Sequence, residues 1–309
     1  MYKPRALKPG DTLGLLAPAS MTDHQNVDKA IEKLKKMGFN VKVGKSPYER
    51  YGYLSGEDKV RADDINSMFK DKEIDGIICT RGGYGTPRIL PLLDYDAIRD
   101  NPKVFIGFSD ITALHIAFNQ KSELVTYHGP MAVSNLIKGV SEFTMESLLD
   151  SVSRTASERV INNPEGTKVE TVCQGTSEGI ITGGNLSLLT NSIGTPYEID
   201  TKGKILFIEE ISEDVYKIDR ALNQLKLAGK FEDAIGIILG DFNDCDKSKH
   251  DESLSLMEVI NHHIKNANKP TIFNLKSGHC EPMITLPLGI KVRLDATERA
   301  LTILESSVE

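Results

Sequence analysis

The sequence has no tryptophan, few cysteines and no excess of basic residues. Its four cysteines, Cys79, Cys173, Cys245 and Cys280, lie far apart and share no CxxC spacing. No stretch approaches the roughly 20 apolar residues that a membrane helix needs. The run Leu13-Gly14-Leu15-Leu16-Ala17 is too short for the core of a signal peptide, and Pro18 ends it. With no export signal, reduced thiols and a cytoplasmic location are expected. Acidic residues outnumber basic ones, 44 to 37, for a net charge of −7. That balance gives no reason to expect a nucleic-acid or anionic-membrane partner, since both need clustered Lys and Arg.

What is present is ordinary soluble-protein composition, on a chain of 309 residues, long enough for two domains. The first half alternates short apolar strands, at 12–17, 41–43, 74–80, 104–108 and 124–127, with amphipathic helices. Val27, Ile31 and Leu34 mark one such helix, and Ile65, Met68 and Phe69 another. That alternation predicts an α/β fold with an open parallel sheet of Rossmann or flavodoxin type. The polar, turn-rich stretch 151–170 reads as a linker between an α/β domain at 1–150 and a smaller α+β domain at 171–309. The second domain has apolar strands at 204–209 and 234–239, helix faces at Val215, Ile218, Leu222 and Leu225 and at Leu256, Val259, Ile260 and Ile264, and a β-rich end from 284 to 304.

Ser109 stands out in Gly107-Phe108-Ser109-Asp110-Ile111. It sits where a buried strand turns straight into a helix, a turn that can lift a hydroxyl clear of the sheet and aim a helix N-terminus at its target. The N–H of Asp110 would then be an oxyanion donor. The second glycine of the G-x-S-x-G elbow is missing, and a serine here also suits a helix N-cap. Thr80-Arg81-Gly82-Gly83-Tyr84-Gly85 follows the preceding strand and is suited to an oxyanion or carboxylate cradle; it matches neither dinucleotide nor P-loop patterns. His279, in the Gly- and Pro-punctuated loop Ser277–Pro282, is a candidate base, with His128 as its rival. His115, His262 and His263 fall in predicted helices, and His24 and His250 in polar loops. Glu209 and Glu210 close the apolar run Ile205-Leu206-Phe207-Ile208, and alternation allows only one of them to face a site. A salt bridge to Lys217 or Arg220 is the structural alternative. The run Asp241–Asp246 lacks the glycine of a calcium loop, and Cys280 has no evident activator.

Together these segments resemble the LD-carboxypeptidase family of serine peptidases, which also holds the microcin C self-immunity peptidases. The resemblance runs from Leu7-Lys8-Pro9-Gly10-Asp11 and Ala17-Pro18-Ala19-Ser20 through the Arg81–Gly85 and Gly107–Thr112 motifs. It continues with His128-Gly129-Pro130-Met131, Gly183-Gly184-Asn185-Leu186 and Leu206–Glu210, and ends with Gly278-His279 and Pro287-Leu288-Gly289. It implies a Ser109, Glu209, His279 triad, with the backbone of Gly83 and Asp110 as oxyanion hole, the first of the two acids being the triad member. It also implies hydrolysis of the bond from an L-centre to a terminal D-amino acid, such as D-Ala of the murein tetrapeptide, without metal or cofactor, by an enzyme that is often a homodimer. Arg81 and Asn185 are carried as substrate-binding candidates. The absence of Trp favours the murein branch over a peptidyl-nucleotide substrate, and a non-catalytic ligand-binding protein on the same fold is the alternative of another class.

Overall fold

The computed structural model describes residues 1–156, 158–246 and 252–309. His250 and Ser157, expected in polar segments, lie outside the described residues. The chain divides into two compact units, one of Met1–Thr155, Thr285–Gly289 and Ser307–Glu309, the other of Ala156–Ile284 and Ile290–Ser306.

In the first unit the apolar runs form five parallel strands: β1 (Thr12–Leu16), β2 (Asn40–Val43), β3 (Gly76–Cys79), β4 (Val104–Gly107) and β5 (Thr126–His128). β3 and β4 are buried at every residue, as expected of parallel strands covered on both faces. The order among them is 5-4-3-1-2. β1 therefore sits between β2 and β3, and the order reverses there, which is the flavodoxin-type switch point where ligands bind beyond the carboxyl ends of the strands. The segments that leave those ends are Ala17–Ser20, Thr80–Gly85 and Phe108–Ser109.

The second unit is built on β6 (Arg159–Ile161), β7 (Glu170–Cys173), β8 (Thr176–Asn185), β9 (Lys204–Ile211), β10 (Gly236–Asn243) and β11 (Thr271–Phe273). After them in sequence come β12 (Leu286–Leu288), which joins the sheet of the first unit, and then β13 (Lys291–Asp295) and β14 (Ala300–Ile303) of the second. The sheet order is 6-14-13-8-9-10-11-7. β8 to β11 run parallel, and antiparallel strands extend the sheet on either side, which gives the β-rich end.

Two boundaries differ from expectation. The stretch read as a linker is partly regular: the helix Glu142–Ser153 occupies its start, and β6 lies inside it, paired with β14. The strand expected from residue 284 belongs to the first unit, because β12 pairs antiparallel with β5. The last residues return as well, where Glu309 exchanges backbone hydrogen bonds with Pro4 and Ala6. Pairing over long sequence separation decides both, and local composition does not encode it.

The helix Thr112–Lys121 is buried at every residue from Thr112 to Asn119, so it shows no amphipathic stripe. Phe118 from this helix and Phe69 from the helix Asp58–Lys70 close on Phe105 of β4, with ring centroids 4.9 and 6.2 Å away. All three rings have no exposed surface. Phe105→Ala is expected to destabilise the protein by about 3–5 kcal/mol, read as a lower urea midpoint with an unchanged slope; a change below about 1 kcal/mol would show that this cluster can collapse around the loss.

Candidate active site

Phe108 has extended backbone, and Ser109 turns to φ +64°, a left-handed value that a non-glycine residue seldom adopts. Ser109 is therefore not the N-cap, whose backbone is extended. Phe108 holds that place, before the short 3₁₀ turn Ser109–Ile111 and the helix that follows. A strained serine between strand and helix is an elbow geometry, and the strain, of order 1–3 kcal/mol, persists only where the surroundings over-determine it.

Those surroundings are visible. The Gly107 carbonyl, just before the elbow, accepts from the Gly129 N–H at 3.1 Å and from His115 Nε2 at 2.8 Å. Burial drives the His115 pKa down to about 4, against the Gly107 bond, so its imidazole is a neutral donor at physiological pH. On the other side of the elbow, the buried Asp110 carboxylate accepts the Thr86 N–H at 2.8 Å, and the Thr86 hydroxyl donates to the Asp110 carbonyl. Burial raises the Asp110 pKa; the Thr86 and Gly85 N–H groups and the Arg61 charge oppose it.

The glycine loop packs on the serine itself. A Cβ on Gly82 would lie 3.0 Å from Ser109 Cβ, 3.1 Å from its Oγ and 3.3 Å from the Asp110 nitrogen. Gly83, at φ +109°, passes so close to Ser20 that a Cβ there would be 2.3 Å from Ser20 Oγ. Ser20 Oγ in turn accepts the Tyr84 N–H at 3.1 Å. Arg81 directs Nη1 to the Met21 carbonyl at 3.3 Å. The structure thus gathers Ser109, Asp110, Gly83 and Arg81 into one set of loops at the switch point.

Arg61 anchors that set and was not anticipated. Its guanidinium, without exposed surface, donates through Nη1 to the carbonyls of Pro18 at 2.6 Å and Gly85 at 2.9 Å, and pairs with Asp58. The signal was an arginine on the apolar face of its helix, one turn before Ile65; a buried cation on such a face needs fixed acceptors.

In the second unit the two glutamates turn to opposite faces of β9, and their partners show which one meets the histidine. Glu209 has no exposed surface, and its Oε2 accepts from His279 Nδ1 at 2.7 Å. Glu210 faces the other way and accepts four hydrogen bonds, from Asn185 Nδ2, from the Ser187 N–H and hydroxyl, and from the Ile211 N–H. Neither pairs with Lys217, which is held by Glu213. Asn185, expected as a substrate contact, spends its amide on Glu210 and caps the helix Leu186–Asn191.

The loop bearing His279 is fixed to the end of β10. The Asp241 N–H donates to the Ser277 carbonyl at 3.0 Å, Lys276 Nζ meets Asp241 at 2.6 Å, and Asn243 Nδ2 donates to the His279 carbonyl at 2.8 Å. Gly278, at φ +127°, lets the loop pass over the carboxylate; a Cβ would lie 2.7 Å from Glu209 Oε2. Of the other histidines, His128 is buried with its ring 5.7 Å from that of Phe108, and His263 pairs with Asp219. Burial and neighbouring carboxylates push the Cys280 thiol up to about 12, so it is not a thiolate at neutral pH.

A serine elbow packed against a glycine loop, in one unit, and a carboxylate-oriented histidine, in the other, are the parts of a serine hydrolase. Comparison with known proteins narrows this. The pattern of the LD-carboxypeptidase N-terminal domain matches residues 13–129, and that of the LD-carboxypeptidase C-terminal domain matches residues 178–294. The chain belongs to the LD-carboxypeptidase family and is a serine-type carboxypeptidase. It is 42% identical over 306 residues to the probable murein peptide carboxypeptidase of Bacillus subtilis strain 168, covering 98% of this chain and 94% of that one. It is 32% identical over 326 residues to the microcin C7 self-immunity protein MccF of Escherichia coli, covering 96% and 94%. Among solved structures, MccF in complex with aspartyl sulfamoyl adenosine superposes with a TM-score of 0.91 at 29% identity, over the full length of both chains. Muramoyltetrapeptide carboxypeptidase from Oxalobacter formigenes does so with a TM-score of 0.83 at 27% identity, over 94% of this chain and 97% of that one.

Burial works against the charge of His279, but the Glu209 carboxylate, with Glu210 and Asp241, outweighs it and holds the pKa above the ordinary histidine value. With a raised folded pKa, this group's contribution to stability is complete below the unfolded value, about 6.5, and is lost as pH rises through the folded value. The stability gap between wild type and His279→Gln should therefore shrink as pH rises through that value. By NMR titration, Glu209→Gln should lower the His279 pKa, because burial is then opposed only by the weaker pull of Glu210 and Asp241. An unchanged pKa in Glu209→Gln would show that this carboxylate does not control the imidazole.

Proposed function

We propose that the protein hydrolyses the bond between an L-centre and a terminal D-amino acid, releasing D-Ala from murein tetrapeptide in the cytosol. The Glu209–His279 hydrogen bond of 2.7 Å carries this reading, because it commits Nδ1 and so makes Nε2 the nitrogen that exchanges a proton. In the proposed mechanism His279 takes the proton of Ser109, and Ser109 attacks the carbonyl before the D-residue. Glu209 keeps the imidazole in the accepting tautomer and stabilises the imidazolium. The N–H groups of Gly83 and Asp110 receive the oxyanion, each worth on the order of 3 kcal/mol. His279 then protonates the departing amine, and water activated by the same imidazole releases the acyl group. Arg81 is the proposed partner of the substrate's terminal carboxylate, since guanidinium binds carboxylates bidentately. The identity to a probable murein peptide carboxypeptidase supports the substrate. No helix among the described residues is long and apolar enough to cross a membrane, which is compatible with a cytosolic site of action. A homodimer is proposed on the family resemblance.

A second reading is a peptidyl-nucleotide substrate. It is favoured by the likeness to MccF and by an aromatic surface beside the glycine loop, where the exposed rings of Tyr53 and Tyr84 lie 5.9 Å apart. Such rings can stack a base where Trp is missing.

Purified protein should release D-Ala from L-Ala-γ-D-Glu-diaminopimelate-D-Ala, and Ser109→Ala should lower the rate by a factor of about 10⁴ to 10⁶. An undiminished rate in Ser109→Ala would contradict the mechanism. Faster turnover of an aminoacyl sulfamoyl adenosine than of the tetrapeptide would move the substrate to the second reading.

A further inference from the structure

Within the second unit lies a groove of about 450 Å³, a size typical of small-molecule sites. Glu210 forms part of its lining, and its walls are the helices Leu186–Asn191 and Val215–Leu227. β8 and β9 run parallel and deliver Asn185 and Glu209 side by side at their carboxyl ends. Glu210, the next residue of β9, lines the groove from the face of the strand opposite to Glu209.

Its charges are unevenly matched. The Glu210 carboxyl is saturated by the Asn185, Ser187 and Ile211 donors described above. Burial raises its pKa, against those bonds. Glu213 and Lys217 pair at 2.8 Å, with Asp214 farther off at 3.9 Å. Arg220 is exposed, holds its guanidinium 5.9 Å over the ring of Tyr216, and pairs with no carboxylate among the described residues. Lys217, Arg220 and Gln224 follow one another at spacings of three and four, so they share one face of the helix Val215–Leu227, and Glu213 sits just before its start, paired with Lys217. Along it the groove offers a carboxylate–ammonium pair and, next to it, a cation without a counter-ion.

We propose that this groove receives the zwitterionic end of a diamino acid in the substrate, its carboxylate on Arg220 and its ammonium on Glu213. The naming of that amino acid as part of the substrate rests on the peptidase reading above. The ligand chemistry follows from the groove: a planar guanidinium recognises a carboxylate, and Glu213 can exchange the Lys217 ammonium for the ligand's. An L-lysine side chain, with an ammonium but no carboxylate at its end, would leave Arg220 unused.

Two measurements test this. In calorimetry with meso-diaminopimelate as the probe, wild type should bind saturably, and Arg220→Gln and Glu213→Gln should each bind at least about 10-fold more weakly, as expected for loss of a charged hydrogen bond. In steady-state assays, the ratio of kcat/KM for the diaminopimelate tetrapeptide to that for its L-lysine counterpart should exceed one in wild type and fall about 10-fold or more in Arg220→Gln. Absent binding of the probe, equal binding by the variants, or a ratio that Arg220→Gln does not move would each overturn the assignment. If wild type released no D-Ala from either peptide, the peptidase reading would fail, while the calorimetry would still decide the groove.

Discussion

A carboxylate at the end of a buried strand cannot stay ionised there without a partner, and in this protein the partner of Glu209 is His279. Much of the second unit is arranged around that pair. The irregular end of β10 takes up the backbone of Ser277 and the carbonyl of His279. Gly278 gives the loop the clearance to lie over the carboxylate. Glu210, next in sequence, is turned away and hydrogen-bonded by donors from the neighbouring strand and helix. One glutamate is therefore free of structural duty and the other is consumed by it, although the two are adjacent.

The first unit solves a different problem, holding a serine in a backbone conformation that its side chain disfavours. Neutral His115 fixes the strand before the elbow, Asp110 and Thr86 fix the turn after it, and Gly82 allows the neighbouring loop to touch the serine. The buried guanidinium of Arg61 ties the loops that follow β1 and β3 to each other. Removing it would leave the Pro18 and Gly85 carbonyls short of a donor, so its role is to position the loops that the proposed oxyanion hole needs.

Much of this was legible in the sequence. Alternating strands and helices announced the parallel sheet, and the strand-to-helix turn at Ser109 announced the elbow. The apolar run before Glu209 announced a buried acid in want of a partner. The choice between the two glutamates needed the family resemblance, because alternation excludes one without saying which. Three features were not readable. β8 contains three glycines in ten residues and shows no apolar stripe. β12 belongs to a sheet formed by residues about 160 positions earlier, a pairing that no local signal carries. Arg61 sits on an apolar face, where its function depends on carbonyls from two distant loops.

The central claim is that Ser109 is a nucleophile activated by a carboxylate-oriented His279. Its most direct test is the rate and site of labelling by a fluorophosphonate, followed by peptide mass mapping. The account predicts a single adduct on Ser109 in wild type, formed at least about 100-fold more slowly in His279→Ala, as expected when general-base help is removed. An adduct on another residue, or equal rates in the two proteins, would contradict it.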